Sequence, residues 1–260
     1  MDFTLDNYRQ LLLSLQNAQY ESVLRLKGDG IKQVLIRHDV DLKPQNSLRI
    51  AQIESSMGIK SIYYFRAVPE SWNNDIIVAI RDLGHEVGYH YESLTTCKGD
   101  IDQAYQDFCN HLTRLSNLIG RPISTICMHG SPKSPYDSKD IWKKYDYHTL
   151  GIDFEPYLDT DFSKTFYLTD TGRRWDGFKV SVRDKIPQYQ DEWCSNGLLF
   201  HSTNDIINAL EMPCSSTLSK YNQIMITTHP QRWMKFGIGW TKEFVMQNIK
   251  NIIKRMMIKQ

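Results

Sequence analysis

The sequence has no pair of cysteines at C-x-x-C spacing. Its five cysteines, Cys97, Cys109, Cys127, Cys194 and Cys214, are odd in number and far apart. That excludes a zinc knuckle and argues against a disulfide frame, so reduced thiols in a cytoplasmic protein are expected. No apolar run approaches the length needed to cross a bilayer. The N-terminal stretch MDFTLDNYRQLLLSLQ starts with an acid and has an apolar core of only three leucines, unlike a secretory signal. Neither sign of charge is in excess: 31 lysines and arginines face 30 acids, for a net charge of +1. Nucleic-acid binding is therefore not expected. There is no internal repeat, no low-complexity tract and no G-x-G-x-x-G after the first strand, which argues against a dinucleotide-binding sheet.

What is present is a folded composition, 41% hydrophobic and 23% charged, over 260 residues. That length is ordinary for one α/β barrel. Short β-branched and aromatic runs alternate with amphipathic stretches. QVLIRHD, SIYYFRA, HEVGYHYE, ISTICMHG, YHTLGID, TFYLTD, GLLFHS and QIMITTH read as strands. NSLRIAQIESSMG, NNDIIVAIRDLG, DIDQAYQDFCNHLTRLSNLIG, SKDIWKKY, NDIINAL and a segment after Trp240 read as helices, with Gly58, Gly84 and Gly120 as stops. Such alternation predicts parallel βαβ units. The expected architecture is α/β, one barrel domain over residues 1–260, with long irregular loops over the barrel mouth at about 151–196. The basic C-terminal stretch IKNIIKRMMIK is expected to be a helix with a solvated face opposite a buried one.

Catalytic residues of parallel barrels gather at the C-terminal ends of strands. Here those ends read RHDVD, YHYE, MHG, HS and THP. Side chains alternate along a strand, so Arg37, Asp39 and Asp41 share one face. Two carboxylates so placed need a cation or proton between them; the plainer use is to cap the helix near Pro44. Glu86, Gly88, His90 and Glu92 share a face of the next strand, with Gly88 leaving room beside His90 for a close approach. His85 falls on the other face and reads as a packed or supporting histidine. His129 ends the following strand, and a functional place is favoured for it over a backbone-bonded turn histidine. His229 ends the last strand, held extended by the proline after it. His111 and His148 read as surface or core residues, and His201 stays undecided.

One aspartate and two histidines make an open N/N/O site suited to Zn²⁺ or another first-row divalent ion. With Asp39 as general base and His229 protonating a leaving amine, the set suits metal-assisted hydrolysis of an amide or ester.

In chain order these motifs resemble those of the polysaccharide deacetylases (carbohydrate esterase family four, NodB-like hydrolases), from about Val34 to Trp233. RHDVD is similar to the first motif, which implies Asp39 as base and Asp41 as metal ligand. GHEVGYH is similar to the lead-in and first histidine of the second, implying His90 as ligand. GRPISTICMHGSP resembles the third motif, and MITTHP the last, whose histidine is the acid, His229. YLTDTGRRWDG sits where an aspartate and a tryptophan line the pocket, which implies substrate contacts from Asp170, Arg174 and Trp175. The resemblance implies a distorted (β/α)7 barrel of the TIM-like kind and a divalent metal, most often Zn²⁺. The sequence departs from the family where its second metal histidine would stand: that position is Leu94. His129 and Glu92 are the available substitutes, with His129 favoured because a strand-end residue reaches the barrel axis.

The resemblance, together with the lack of a signal sequence, leads to an expected function: removal of an N-acyl group from a nucleotide- or lipid-linked amino sugar in surface-polysaccharide biosynthesis. The rival readings are a cyclic imide or ureide amidohydrolase on the same barrel and an inactive carbohydrate-binding protein.

Overall fold

A computed structural model describes residues 1–131, 134–177, 181, 183–212 and 216–258, with side chains through residue 252. Cys214 lies outside the described residues.

The strands are β1 (Glu21–Ser22), β2 (Gln33–Val40), β3 (Ile62–Phe65), β4 (Glu86–Tyr91), β5 (Ile126–Met128), β6 (Thr165–Thr169) and β7 (Gln223–Thr228). The helices are α1 (Leu5–Asn17), α2 (Pro44–Ser56), α3 (Asn74–Asp82), α4 (Ser93–Thr96), α5 (Ile101–Ile119), α6 (Pro156–Asp159), α7 (Pro187–Ser195), α8 (Thr203–Glu211) and α9 (Ile238–Ile258). The strands pair in parallel in the order β5-β4-β3-β2-β7-β6, with β1 attached to β2. The sheet curls into a distorted α/β barrel. On the β5 side a parallel bridge from Thr125 to Phe154 continues the wall.

The central strands are buried along their whole length, β2 and β7 at every residue. This is the pattern of parallel strands covered on both faces. The helix boundaries follow local chemistry. Asn73 caps α3, Asp100 caps α5, and Ser202 and Asp205 form a reciprocal capping box on α8. Gly120 ends α5 in the left-handed conformation that a side chain resists.

Two expected strands do not form among the described residues. YHTLGID begins with a 3-10 turn at Tyr147–Leu150, because Asp146 accepts from the His148 backbone and Gly151 breaks the chain at φ 77°. In GLLFHS, Leu198 and Phe200 are buried in the core, but the segment pairs with no strand and leads into the α8 capping box. SKDIWKKY is a 3-10 helix at Ser138–Lys143. Helix α7 lies within the stretch expected to be irregular.

One buried polar cluster ties the barrel's helical side to its strands. The Glu54 carboxylate of α2 accepts from the Tyr8 hydroxyl at 2.5 Å, Ser61 at 2.5 Å and Tyr63 at 2.6 Å. His38 Nε2 lies 2.8 Å from the same group, and His38 Nδ1 lies 2.6 Å from Thr228 Oγ1 on β7. Burial would raise the pKa of Glu54, but His38, His85 and Ser61 bring it down to about 2. His85 is buried and donates or accepts only within this packing, against Ser61 and the Ala51 carbonyl, which fits its expected supporting place.

Candidate active site

Strands β2, β4, β5, β6 and β7 deliver their C-terminal ends to one side of the barrel. Around a cavity of about 140 Å³ stand Asp39, Asp41, His90, His129 and His229. These five expected residues therefore do converge. Neither aspartate serves as a helix cap, since the residue before α2 is Lys43, in a left-handed conformation with no side-chain capping bond.

His90 Nδ1 donates to the Cys127 carbonyl at 2.9 Å. A carbonyl can only accept, so the second nitrogen, Nε2, is left with a lone pair. That nitrogen lies 3.7 Å from Asp41 Oδ1 and 3.8 Å from Asp39 Oδ2. His129 repeats the arrangement. Its Nδ1 is 2.9 Å from Glu92 Oε2, and its Nε2 is 3.5 Å from Asp41 Oδ1. Burial takes the His90 pKa down to about 4, against the pull of Asp39 and Asp41, so the ring is neutral at pH 7. Burial would raise Asp41, but His129, His229, His90 and Arg66 hold it well below the usual carboxylate range. Asp39 Oδ1 and Asp41 Oδ1 are buried and have no hydrogen-bond partner. The orphaned Asp41 Oδ1, facing both imidazole nitrogens, forms with them a donor set that fits a divalent cation. Histidines whose other nitrogen is committed to a carboxylate or carbonyl are the usual ligand arrangement.

Glu92 does not face the cavity as a ligand. It is held between His129 and Arg66, whose guanidinium donates to Oε1 at 2.7 Å. Burial would raise its pKa, but His129 and Arg66 bring it down to about 2. Leu94 lies in α4 and packs with Ala104 and Ile141 in a small separate apolar cluster. The space beside Gly88 is filled from within: a Cβ there would sit 2.5 Å from the Tyr64 ring and 2.8 Å from the Thr125 carbonyl. This glycine makes room for Tyr64, not for a ligand.

A second grouping overlaps the first. Asp39, His90 and Cys127 present ligand atoms within 4.8 Å of one another. The Cys127 sulfur, however, already accepts from Arg37 Nη1 at 2.5 Å. Burial holds its thiol well above the usual range despite Arg37. It is a weaker ligand than a neutral imidazole with a free lone pair.

Across the cavity, His229 Nδ1 lies 2.6 Å from Asp170 Oδ1 and 2.7 Å from Arg232 Nη1, and its Nε2 lies 3.9 Å from Asp41 Oδ2. Burial and Arg232 push the His229 pKa down, but Asp170 and Asp41 outweigh them and raise it. The backbone at His229 is extended, φ −114° and ψ 104°, ahead of Pro230.

The three residues expected to contact substrate do not line this cavity. Asp170 is fully buried, and its carboxylate accepts from His229, Arg232 and Trp233. It is enclosed by these donors and has no face toward the cavity. Trp175 packs in the core against Phe3 and Trp233 and donates to Thr203. Arg174 pairs with Asp176 at 2.7 Å. A sequence motif places residues along the chain, but the turn after β6 sends these side chains away from the mouth.

Other residues in contact with the site were not expected. Arg37, buried, donates to Thr227 at 2.6 Å and to Tyr157 at 2.6 Å, and stands 3.8 Å from Asp39 Oδ1. Its place on the Asp39 face of β2 is the signal that could have found it. Gln231 donates to Asp41 Oδ2 at 3.2 Å. Asp184 accepts from Tyr157 at 2.8 Å and from Thr169 at 2.5 Å. It comes from the loop after β6, where nothing local marks it.

No protein-family model and no curated protein matches the chain. In fold it is similar to several solved structures. A family 4 carbohydrate esterase from Bacillus anthracis is 7% identical at TM-score 0.45, over 93% of this chain and 85% of that one. A CE4 esterase from Streptococcus mutans is 11% identical at TM-score 0.45, over 99% and 88%. A CE4 family pseudoenzyme from Bacillus anthracis is 12% identical at TM-score 0.42, over 92% of this chain and 67% of that one. What the site does has to come from its own geometry.

Proposed function

We propose that this protein is a metal-dependent hydrolase that removes an N-acyl group, in our reading acetyl, from an amino sugar. The observation that carries the reading is the pair of histidines, His90 and His129. Their Nδ1 protons are committed to Cys127 and Glu92, and their Nε2 atoms converge on the partnerless Asp41 Oδ1.

Asp41, His90 and His129 would hold the cation, Zn²⁺ in this reading. Bound there, it supplies Lewis-acid polarisation of the amide carbonyl and a lowered pKa for water. Asp39 takes a proton from the attacking water through Oδ2, the oxygen 3.8 Å from His90 Nε2. Arg37 holds that carboxylate from behind. His229, oriented through Nδ1 by Asp170, delivers a proton from Nε2 to the departing amine. The acyl carbon gains the water oxygen, its bond to nitrogen breaks, and a carboxylate and a free amine leave. Met128, Gly130 and Tyr157 wall a cavity with room for a short acyl group and its amide, with the sugar ring at the mouth.

The substrate in this reading is a nucleotide- or lipid-linked amino sugar inside the cell. The test is metal content by mass spectrometry on wild type, His129→Ala and Asp41→Ala, together with release of acetate from sugar nucleotides, lipid-linked sugars and polymeric chitin. About one equivalent of metal in the wild type only, with release from a linked monomer, supports the reading. No metal after incubation with divalent ions sinks it and favours an inactive binding protein; release from polymer alone sinks the substrate class.

A further inference from the structure

Helix α9 inverts the burial pattern expected of it. Its buried residues Gln247 and Asn251 are polar, 7% and 5% exposed. Asn251 Nδ2 donates to the Gly172 carbonyl at 2.8 Å, and Gln247 Nε2 donates to Asn251 Oδ1 at 2.9 Å. On the opposite face stand Ile238, Val245, Ile249 and Ile252, exposed at 91%, 49%, 47% and 54%. Their spacing of seven, four and three residues makes one stripe along a helix. Such a stripe normally meets a core; here it meets solvent. A contiguous exposed apolar strip marks a surface that something covers.

Charge says what covers it. Lys235, Lys242 and Lys250 are exposed beside the stripe, and the sequence goes on to Lys254, Arg255 and Lys259. From Lys235 to the last residue the only acid is Glu243. That acid is taken up on the barrel side by Lys43 Nζ at 3.2 Å. A two-fold contact with a second copy would set lysines against lysines with no free acid between them. An apolar strip flanked by cations is instead the pattern of a helix lying in the interface of an anionic bilayer. No described helix is long and apolar enough to cross a membrane.

The position of the helix adds to this. Lys43 follows Asp41 by two residues, and the Arg173 guanidinium donates to the Trp240 carbonyl at 3.2 Å just after the cavity residue Thr171. The helix is thus fastened to the rim that carries the His90–His129 cavity.

We propose that α9 docks the protein on an anionic lipid surface through the Ile238–Ile252 stripe and its flanking lysines. The docking itself does not depend on the hydrolase reading. Where that reading holds, it places the cavity rim beside the surface on which a lipid-linked sugar would be presented.

The test is flotation of the full chain with phosphatidylcholine vesicles, with and without phosphatidylglycerol. Binding is expected only to the anionic vesicles, weakening as salt rises. The double change Ile249→Glu and Ile252→Glu is expected to weaken it by about tenfold or more. Lys242→Ala and Lys250→Ala are each expected to weaken it by roughly fivefold. These side chains are exposed, so circular dichroism, melting and metal content should match wild type, which separates this result from failure of the hydrolase reading. No flotation of the folded wild type, or equal flotation with both vesicles, overturns the proposal. So does a concentration-dependent dimer that Ile249→Glu dissolves in the absence of lipid binding.

Discussion

His129 Nδ1 lies 2.9 Å from Glu92 Oε2, while its Nε2 lies 3.5 Å from Asp41 Oδ1. The carboxylate behind the ring fixes its tautomer, and the lone pair in front is aimed at an oxygen with no other partner. In the proposed reading this histidine supplies the ligand that Leu94 cannot provide.

His129→Ala should therefore abolish metal binding, whereas Glu92→Gln should only weaken it, by roughly 10–100-fold. In the proposed reading Glu92 acts on the cation only through His129. Titration of the apo-protein with Zn²⁺ checks this. Intact metal content in His129→Ala beside its loss in Glu92→Gln would reverse the assignment.

Cys127→Ser should keep its metal. The sulfur is engaged by Arg37, and burial keeps it a thiol. Loss of the metal in this variant, with normal content in His129→Ala, would transfer the third ligand to Cys127.

Asp39→Asn and His229→Ala should each retain metal and lose roughly 10²–10⁴ in kcat. Asp170→Asn should retain metal too. Because Asp170 is what raises the His229 pKa, this variant should move the basic limb of the kcat profile to lower pH. An unmoved limb would remove His229 as the acid.

Trp175→Ala should leave KM unchanged and cost about 3–5 kcal/mol of stability. The ring is 4% exposed and packs on Phe3 and Trp233. A raised KM at unchanged melting temperature would return Trp175 to the substrate.

Glu54 has its folded pKa brought down to about 2 from an ordinary 4.5. The unfolded chain therefore binds more protons between those values, and the stabilisation is lost as pH falls through that window. Glu54→Gln should cost on the order of 3 kcal/mol at pH 7 and flatten the acid limb of a denaturation series between pH 5 and 2. An acid limb as steep as wild type would mean that Glu54 is not the group titrating there.

Much of the site could be read along the chain, because a strand fixes which side chains share a face. Parity alone put Arg37, Asp39 and Asp41 together and separated His90 from His85; Asp39, Asp41 and His90 line one cavity with Arg37 3.8 Å from Asp39, while His85 packs against Ser61 and Ala51. Strand ends in a parallel barrel share one rim, so His129 and His229 could be gathered with them. Two expected strands failed because periodicity marks burial but not pairing: Leu198 and Phe200 are buried with no neighbouring strand to bond.

The sequence by itself determined the βαβ alternation, the rim on which the acids and histidines meet, and the gap at Leu94, since each follows from local periodicity and residue chemistry. Only the tertiary structure decided that His129 faces Asp41 while Glu92 is held between His129 and Arg66, which way the turn after β6 sends Asp170, Arg174 and Trp175, how Asp184 reaches the cavity, and which face of α9 meets water. These depend on contacts between residues far apart in the chain, such as Asn251 with Gly172 and Glu243 with Lys43, and no local pattern carries that information.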